Sequence, residues 1–258
     1  MGHNLQDISG ENPSLTIGIL SFNEEKSLVA TFNEVQEALI YLPYRSEIIL
    51  LDDGSTDRTR RISAELSDLH ATTRSISHPM NRGLGAGVKT VLGESTCSHI
   101  LFVPGDDSFG ADSLRAVITK LDQADVVVGI RGVGGVKLWR RMLSVAVRLS
   151  TRIWTYPNDS CVGGLNVYRS ELLKSCPSAE DGHISLVETC IRITMLQPSM
   201  IMVPVVQKPG SGVRSNSVKV AEIMSLLRVQ RRMASVRLFG RKCDGPIPKS
   251  VSSGSEDG

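Results

Sequence analysis

Long apolar runs are missing from this sequence. No stretch of about 18 consecutive apolar residues occurs, so we expect no membrane-spanning helix. Residues 1–13 are polar and contain glycine and proline, which argues against a secretory signal peptide there and predicts a flexible leader. Position 6 is glutamine, so the N-terminal myristoylation pattern is missing as well. Any membrane contact is therefore expected to be peripheral.

Paired cysteines and a large net charge are missing too. The five cysteines (Cys97, Cys161, Cys176, Cys190 and Cys243) form no CxxC pair and no cysteine–histidine cluster with the spacing of a zinc site. We interpret them as free thiols in a reducing cytoplasm. The formal net charge is only +2, which gives no support for nucleic-acid binding. With 258 residues, the chain is long enough for one large α/β domain.

What the chain does have is an alternation of short apolar, β-branched runs with helical patterns. Runs such as 15–21 and 47–51 are apolar on both faces, as strands of a sheet covered on both sides should be. The other predicted strands are 74–77, 99–103 and 125–129, and the predicted helices are 25–42, 57–69, 83–93 and 112–121. This rhythm predicts βαβ units, and hence an α/β fold with a mostly parallel central sheet flanked by helices.

After residue 135 the alternation becomes irregular. We predict a helix over 136–155, a strand over 164–168, a helix over 185–196 and a strand over 200–206. The expected organisation is a leader (1–13), one α/β domain (14–217), a basic amphipathic helix (218–240) and a disordered tail (241–258).

Acidic residues follow three of the predicted strands. The segments 23–25, 52–57 and 105–107 each come directly after a strand, and ligands of open α/β sheets bind beyond the carboxyl ends of the strands. One such segment alone would be interpreted as a solvated loop or a helix cap, whereas three at one edge describe an acidic crevice. A crevice of this kind suits a divalent cation and, through the cation, a diphosphate.

The glycine-rich segment 81–87 lies between a predicted strand and a predicted helix. Its small residues would let the backbone approach an anion at the helix N-terminus. The spacing is GxGxG rather than GxGxxG, because position 88 is Val88. Asp106, about 20 residues further on, keeps dinucleotide binding open as an alternative, and a tight turn without a ligand is another.

Together these segments resemble the signature of glycosyltransferase family 2, and especially its dolichol-phosphate mannose synthase and bacterial polyprenyl-phosphate branch. The resemblance rests on FNEE (22–25), LDDGSTD (51–57) and NRGLG (81–85). It continues in order through VVGIR (127–131), GLNVYR (164–169), GHISLVE (182–188) and MVPV (202–205). It covers about residues 14–220 and implies the GT-A fold, with a mixed acceptor-side region after the Rossmann-like sheet.

The resemblance also implies a role for each matching residue. The nucleotide sugar would be bound by Phe22, Glu24, Asp52, Asp53, Asn81, Gly83 and Arg131. A divalent cation, Mg²⁺ or Mn²⁺, would be held by Asp106 and Asp107, and the catalytic residues would be Asp106, Glu188 and Asp159. The sequence departs from the family at Pro104, which replaces the first aspartate of the DxD metal motif. The implied metal site therefore has fewer protein ligands than is usual.

Basic residues are concentrated in the predicted helices 136–155 and 218–240. The acceptor and membrane side is expected to include Arg141, Arg148, Arg214, Arg231 and Arg232. Basic amphipathic helices that carry Trp or Phe suit an anionic membrane interface. The alternative is that their apolar faces pack on the domain while the arginines are solvated. We expect a protein held peripherally at the cytoplasmic face of a membrane.

The sequence thus predicts an inverting glycosyltransferase that moves a sugar from a GDP- or UDP-linked donor to polyprenyl or dolichyl phosphate. Two alternatives stay open: transfer to a hydroxyl acceptor, with Asp159, Asp181 or Glu188 as the base, and a nucleotide-sugar-binding protein with impaired catalysis. An oxidoreductase and a nucleotidyltransferase are disfavoured, because the first predicted strand ends in Ser-Phe-Asn-Glu rather than in a glycine-rich loop. The motifs leave open the sugar, the base and whether the protein forms an oligomer.

Overall fold

The structure, a computed structural model, describes residues 12–131, 165–178, 182, 184–209, 228, 229 and 231. Its strands are β1 (Ser14–Ser21), β2 (Arg45–Asp52), β3 (Thr73–Ser77), β4 (His99–Pro104), β5 (Val126–Arg131), β6 (Asn166–Arg169) and β7 (Met200–Val205). Its helices are α1 (Leu28–Leu39), α2 (Thr59–Leu69), α3 (Leu84–Glu94), α4 (Ala111–Ile118), α5 (Ser170–Ser175) and α6 (Ile184–Met195). The predicted helix 136–155, the predicted tail and most of the predicted leader lie outside the described residues.

The strands form one seven-stranded sheet in the order β3-β2-β1-β4-β6-β5-β7. Strand β1 pairs in parallel with β2 and β4, and β2 pairs in parallel with β3. Strand β6 is antiparallel to both β4 and β5, while β5 and β7 are parallel. Because the chain first fills one side of β1 and then crosses to β4, the carboxyl ends of β1 and β4 flank a topological switch point, where open α/β sheets bind ligands.

Two hydrophobic clusters cover the two faces of this sheet. On one face, Phe32 and Val35 of α1 and Leu114 of α4 pack with buried strand residues such as Ile17. On the other face, Val91 of α3 packs with residues of α5, α6 and the strands. Because both faces are covered, the central strands are apolar throughout, as the sequence pattern predicts.

The helices match the sequence-based expectation with shifts at their ends. Helix α1 begins at Leu28 rather than at residue 25, because residues 24–27 form a separate turn closed by the Ser27 amide on the Glu24 carbonyl. Helix α4 ends at Ile118 rather than at Leu121, because the Leu121 amide bonds to a carbonyl only three residues back, which tightens the chain out of the α-helix. The short helix α5 is an addition to the expected elements.

Within the described ranges, no helix is both long and apolar enough to cross a lipid bilayer. In the predicted basic helix 218–240, the described residues are Arg228, Val229 and Arg231, and all three have helical backbone. Val229 is buried, whereas the two arginines are exposed. This arrangement is the one that an amphipathic helix would give to these positions.

His99, the first residue of β4, is buried at the end of the sheet away from the strand carboxyl ends. Its Nδ1 lies 3.0 Å from Ser98 Oγ, and its Nε2 has no hydrogen-bond partner in the part of the chain that is described. Burial, assisted by the nearby Arg169 guanidinium, lowers the pKa of His99 from 6.5 to about 4. The folded protein therefore keeps this imidazole neutral at pH values where the unfolded chain protonates it.

Mild acid should therefore destabilise the protein through His99. Above pH 6.5, the pKa in the unfolded chain, His99 is neutral in both states and the full unfolding free energy is present. As the pH falls towards about 4, the unfolded chain takes up a proton that the folded chain excludes, so the unfolding free energy decreases. Between pH 7.5 and pH 5 we expect the wild type to lose about 2 kcal/mol of unfolding free energy that a His99→Phe variant does not lose. Urea unfolding of both proteins at the two pH values measures this difference. Parallel pH dependences would contradict the role given to His99.

Candidate active site

The turns after β1, β2 and β4 lie side by side at one edge of the sheet. Ser21 at the end of β1 is in register with Asp52 at the end of β2, and the Asp53 amide donates to the Ser21 carbonyl at 2.9 Å. On the other side of β1, the Gly105 amide donates to the Leu20 carbonyl at 2.9 Å. The structure therefore brings the three acidic segments singled out in the sequence to one place.

Asn23 and Glu24 tie the first turn to the second. Asn23 has a left-handed backbone (φ 56°). Its amide donates to Ser55 Oγ at 2.9 Å and its Oδ1 accepts the Thr56 amide at 2.9 Å. The Glu24 amide donates to Thr59 Oγ1 at 2.7 Å. These bonds fix the shape of the turn beside which Glu24 is predicted to meet the nucleotide base.

Asp52 has a buried carboxylate with one unpaired oxygen. The residue has no exposed surface, and its Oδ1 accepts the Ser55 amide at 3.1 Å. Its Oδ2 has no hydrogen-bond partner among the described residues, and a buried acceptor left unpaired costs about 1–3 kcal/mol. A donor from a ligand or a water molecule would recover that cost. Phe22, directly after the adjacent strand β1, is 43% exposed and offers an aromatic surface at this edge of the sheet.

Asp53 is engaged by the glycine-rich loop. Its Oδ1 accepts the Arg82 amide at 3.0 Å and its Oδ2 accepts the Gly83 amide at 2.8 Å. His78 completes the set, with Nδ1 2.6 Å from Asp53 Oδ1 and Nε2 2.9 Å from Thr90 Oγ1 of α3. Asp53 thus holds the loop that opens α3, while its contact with the base or ribose stays a prediction. No motif contains His78, and only its place directly after β3 could have marked it in the sequence.

Asp106 and Asp107 follow each other in the turn after β4 but have different surroundings. Asp106 is partly buried, and its Oδ1 accepts the Ser108 amide at 3.2 Å. Asp107 has a left-handed backbone (φ 55°), and its amide donates to Thr31 Oγ1 of α1 at 2.9 Å. The Asp107 Oδ1 accepts a hydrogen bond from Lys208 Nζ at 2.7 Å. Asp107 therefore contacts distant parts of the domain, whereas Asp106 bonds within its own turn.

Lys208 also binds Glu34 of α1, and we call Glu34, Asp107 and Lys208 the Lys208 triad. The Lys208 Nζ lies 2.6 Å from Glu34 Oε1, and Glu34 Oε2 accepts the Ala111 amide at the start of α4. The hydrogen bond from Lys208 holds the pKa of Glu34 below its ordinary value, against the effect of burial. Burial lowers the pKa of Lys208, but its hydrogen bonds to both carboxylates outweigh that effect and raise the pKa above its ordinary value. Glu34 and Lys208 are therefore both charged near neutral pH.

Asp106 stays the predicted protein ligand of a divalent cation in this turn. No group of three or more His, Cys, Asp or Glu side chains is placed to hold a metal ion within the described ranges. The Asp107 Oδ1 is already bonded to Lys208. Because Mg²⁺ is often held by one or two carboxylates together with the phosphate oxygens of the substrate, a single carboxylate is sufficient for a cation that arrives with a diphosphate.

The other residues predicted for the site are more scattered. Arg131 ends β5, which runs in the same direction as β4, so its backbone lies at the same edge of the sheet. Glu188 of α6 is fully buried, with its carboxylate 2.8 Å from the Arg192 guanidinium and 2.9 Å from Ser178 Oγ. A separate cavity of about 280 Å³ lies between α3 and α5, and none of the turn residues lines it. The predicted residues outside the described ranges are Arg141, Arg148, Asp159, Asp181, Arg214 and Arg232.

The model of a protein family described as glycosyl transferase family 2 matches residues 16–176, which is more than half of the chain. The chain belongs to glycosyl transferase family 2. The matched region runs from β1 to α5 and includes all three acidic turns. The family predicted from the sequence motifs is therefore confirmed.

Among the curated relatives of this family 2 protein, two are named for lipid phosphates. A dolichyl-phosphate beta-glucosyltransferase of Trichomonas vaginalis is 28% identical over 130 residues, which cover 45% of this chain and 38% of the relative. An undecaprenyl-phosphate 4-deoxy-4-formamido-L-arabinose transferase of Pseudomonas savastanoi pv. phaseolicola is 26% identical over 146 residues, covering 54% of this chain and 43% of the relative. The chain thus spans less than half of the length of either relative.

Solved structures of other enzymes share this fold at low sequence identity. A mannosyl-3-phosphoglycerate synthase from Rubrobacter xylanophilus has a TM-score of 0.64 at 15% identity, covering 92% of this chain and 78% of that chain. A glucosyl-3-phosphoglycerate synthase from Mycobacterium tuberculosis, solved with Mn²⁺, UDP-glucose and phosphoglyceric acid, has a TM-score of 0.60 at 18% identity, covering 92% and 81%. These likenesses confirm the predicted GT-A-like α/β fold.

Proposed function

We propose that this family 2 protein transfers a sugar from a nucleoside diphosphate sugar to a lipid phosphate, a polyprenyl or dolichyl phosphate. The observation that carries the proposal is the junction of three acidic turns at one sheet edge. There Asp52 offers an unpaired buried acceptor, and Asp106 has no basic partner among the described residues. The printed names of the two lipid-phosphate relatives support the choice of acceptor.

The donor would bind with its base beside Phe22 and Asp52 and its diphosphate beside Asp106. The exposed ring of Phe22 would contact the base, while the buried carboxylate of Asp52 would hold the second turn in shape through the Ser55 amide. The Arg82 and Gly83 amides, which precede α3 at this edge, already donate to the Asp53 carboxylate, so we assign them to the loop rather than to the diphosphate. Arg131 ends β5, two strands from β4, or about 10 Å at the usual strand spacing. We assign Arg131 to the diphosphate side of the donor, as the resemblance to the family implies.

Transfer would proceed by direct displacement with inversion at the anomeric carbon. An oxygen of the acceptor phosphate forms a bond to that carbon while the bond from the carbon to the diphosphate oxygen breaks, and the electron pair leaves with the nucleoside diphosphate. The acceptor arrives ionised near neutral pH, since the second pKa of a phosphate monoester is about 6. A divalent cation on Asp106 would supply positive charge to the leaving diphosphate.

A hydroxyl acceptor would instead require a general base, and Glu188 is poorly placed for that task. Its carboxylate is fully buried and is bonded to Arg192 and Ser178. The other two candidate bases, Asp159 and Asp181, lie outside the described residues. The surroundings of Glu188 therefore argue against Glu188 as the general base for a hydroxyl acceptor.

A transfer assay with matched acceptors tests the proposed function. The purified chain is incubated with GDP- and UDP-sugars and Mn²⁺ or Mg²⁺, together with a short polyprenyl phosphate, the matching polyprenol or 3-phosphoglycerate. Release of nucleoside diphosphate and product mass are measured. We expect a glycolipid with the polyprenyl phosphate and no product with the polyprenol. Transfer to 3-phosphoglycerate or to a hydroxyl would overturn the lipid-phosphate acceptor, and tight donor binding without turnover would favour a protein with impaired catalysis.

We also propose a peripheral location at the cytoplasmic face of a membrane, supported by the exposed Arg228 and Arg231 on helical backbone. Each basic residue near an anionic surface contributes about 1 kcal/mol, so Arg231→Glu should weaken binding to phosphatidylserine vesicles about tenfold. Vesicle co-sedimentation measures the effect. Arg61→Glu on α2, whose native side chain is 77% exposed, is the matched control. Equal binding by the two variants would mean that residue 231 does not face the membrane.

A further inference from the structure

Lys208 joins the segment after β7 to the turn after β4 through main-chain and side-chain bonds. Its amide donates to the Ser108 carbonyl at 2.9 Å, and Phe109 and Gln207 form a β-bridge beside it. Its ammonium group lies 2.7 Å from Asp107 Oδ1 and 2.6 Å from Glu34 Oε1. The turn that carries Asp106 is thus joined to residues 207 and 208 by main-chain pairing and by the Lys208 side chain.

The ammonium group of Lys208 binds two carboxylates that would otherwise repel each other. Glu34 and Asp107 both approach it within hydrogen-bonding distance, and both side chains are largely screened from solvent. Without the ammonium group, the two adjacent negative charges would have no basic partner among the described residues, and the pair would attract a cation from solution. Lys208 occupies the place of that cation.

We propose that Lys208 is a positioning residue of the metal site: by engaging Asp107 it leaves Asp106 as the carboxylate of this turn that binds the cation. The proposal rests on the proposed function, because it is the nucleotide sugar that would bring the diphosphate to Asp106. A cation held by one carboxylate binds weakly alone and tightly only with a diphosphate. Lys208 would thereby couple metal binding to the arrival of the donor.

Binding of Mn²⁺ to the purified chain, measured by electron paramagnetic resonance with and without inorganic pyrophosphate, tests this assignment. In the wild type we expect weak binding of Mn²⁺ alone and markedly tighter binding with pyrophosphate. Lys208→Met should bind Mn²⁺ alone about tenfold more tightly through Asp106 and the released Asp107, and adding Asp106→Asn to Lys208→Met should remove this gain, whereas a cation held by Glu34 and Asp107 alone would retain it and overturn the proposal. Lys208→Arg should behave as the wild type. A purely structural role of Lys208 would give no gain in Mn²⁺ affinity.

A second pair of variants keeps the test informative if Lys208→Met does not fold. Asp106→Asn should weaken the binding of Mn²⁺ with pyrophosphate by about tenfold or more, while Asp107→Asn should leave that affinity unchanged. Equal losses in both variants would overturn the proposal, as would unchanged Mn²⁺ affinity in Lys208→Met. The transfer assay decides the proposed function separately. If the wild type shows no transfer activity but gives the expected Mn²⁺ results, the proposed function is wrong and the role of Lys208 in the metal site stands.

Discussion

Replacing Asp106 by alanine should lower kcat/KM for sugar transfer at least about a hundredfold, since stabilisation of the leaving group by a bound cation contributes several kcal/mol. Asp106 is the carboxylate of its turn without a basic partner in the described part of the chain. The fold should survive, because the side chain makes one hydrogen bond, to the Ser108 amide, and such a bond contributes about 1 kcal/mol. Initial rates and thermal unfolding of the purified variant measure the two effects.

Asp112→Ala is the matched control for this experiment. Asp112 lies in the first turn of α4, six residues beyond the site, and its side chain is fully exposed. It pairs with Arg115 at the surface, and its removal should cost less than about 1 kcal/mol and leave the rate unchanged. Activity within threefold of the wild type in Asp106→Ala would remove Asp106 from the site. A large loss in Asp112→Ala would show that the assay reports stability rather than chemistry.

Gly54→Ala should destabilise the protein by about 3 kcal/mol and should weaken donor binding at the same time. Gly54 has φ 72°, a left-handed conformation that a residue with a Cβ adopts at a cost. A Cβ there would collide with the Met80 backbone and would lie 2.5 Å from the Asn81 nitrogen. Since backbone cannot move aside as a flexible side chain does, the loop 80–83 would have to shift away from Asp53. Chemical unfolding and titration with a nucleoside diphosphate measure the two losses.

Gly93→Ala supplies the comparison. Gly93 lies near the end of α3, and a Cβ there meets no atom within 4 Å. Because alanine is the better helix former, this variant should be stabilised by about 0.5–1 kcal/mol. If the two glycine variants had the same stability, the close approach of the second turn to the glycine-rich loop would not matter for the fold.

Local sequence patterns were sufficient for most of the sheet and its helices. Ile17 and Ile19 belong to an apolar run of strand length, and Val126 to Val128 form another, so the periodic signal is strong. The direction of β6 could not be predicted from the sequence. An antiparallel strand between β4 and β5 has the same short apolar pattern as a parallel strand would have there. The end of α4 was also missed, since hydrogen bonds to carbonyls three residues back, from Lys120 to Val117 and from Leu121 to Ile118, distinguish a tight turn from another turn of helix.

The sequence was sufficient to predict where the candidate site lies, but not which partner each of its carboxylates binds. The motif LDDGSTD places Asp52 and Asp53 together at a strand end. Asp53 is bonded to His78, 25 residues away, and to the Gly83 amide, 30 residues away. Asp107 is bonded to Lys208, 101 residues away. No spacing rule connects residues at such separations, so the sequence alone could not separate carboxylates that hold loops from those available to a ligand.

The sequence by itself determined the family and the α/β fold, because strand and helix patterns and the acidic turn motifs are local and survive without tertiary contacts. Only the tertiary structure decided that Asp53 secures the glycine-rich loop and that Lys208 engages Asp107. The physical reason is that a carboxylate's role depends on which donors surround it, and those donors arrive from strands and helices that folding alone brings together.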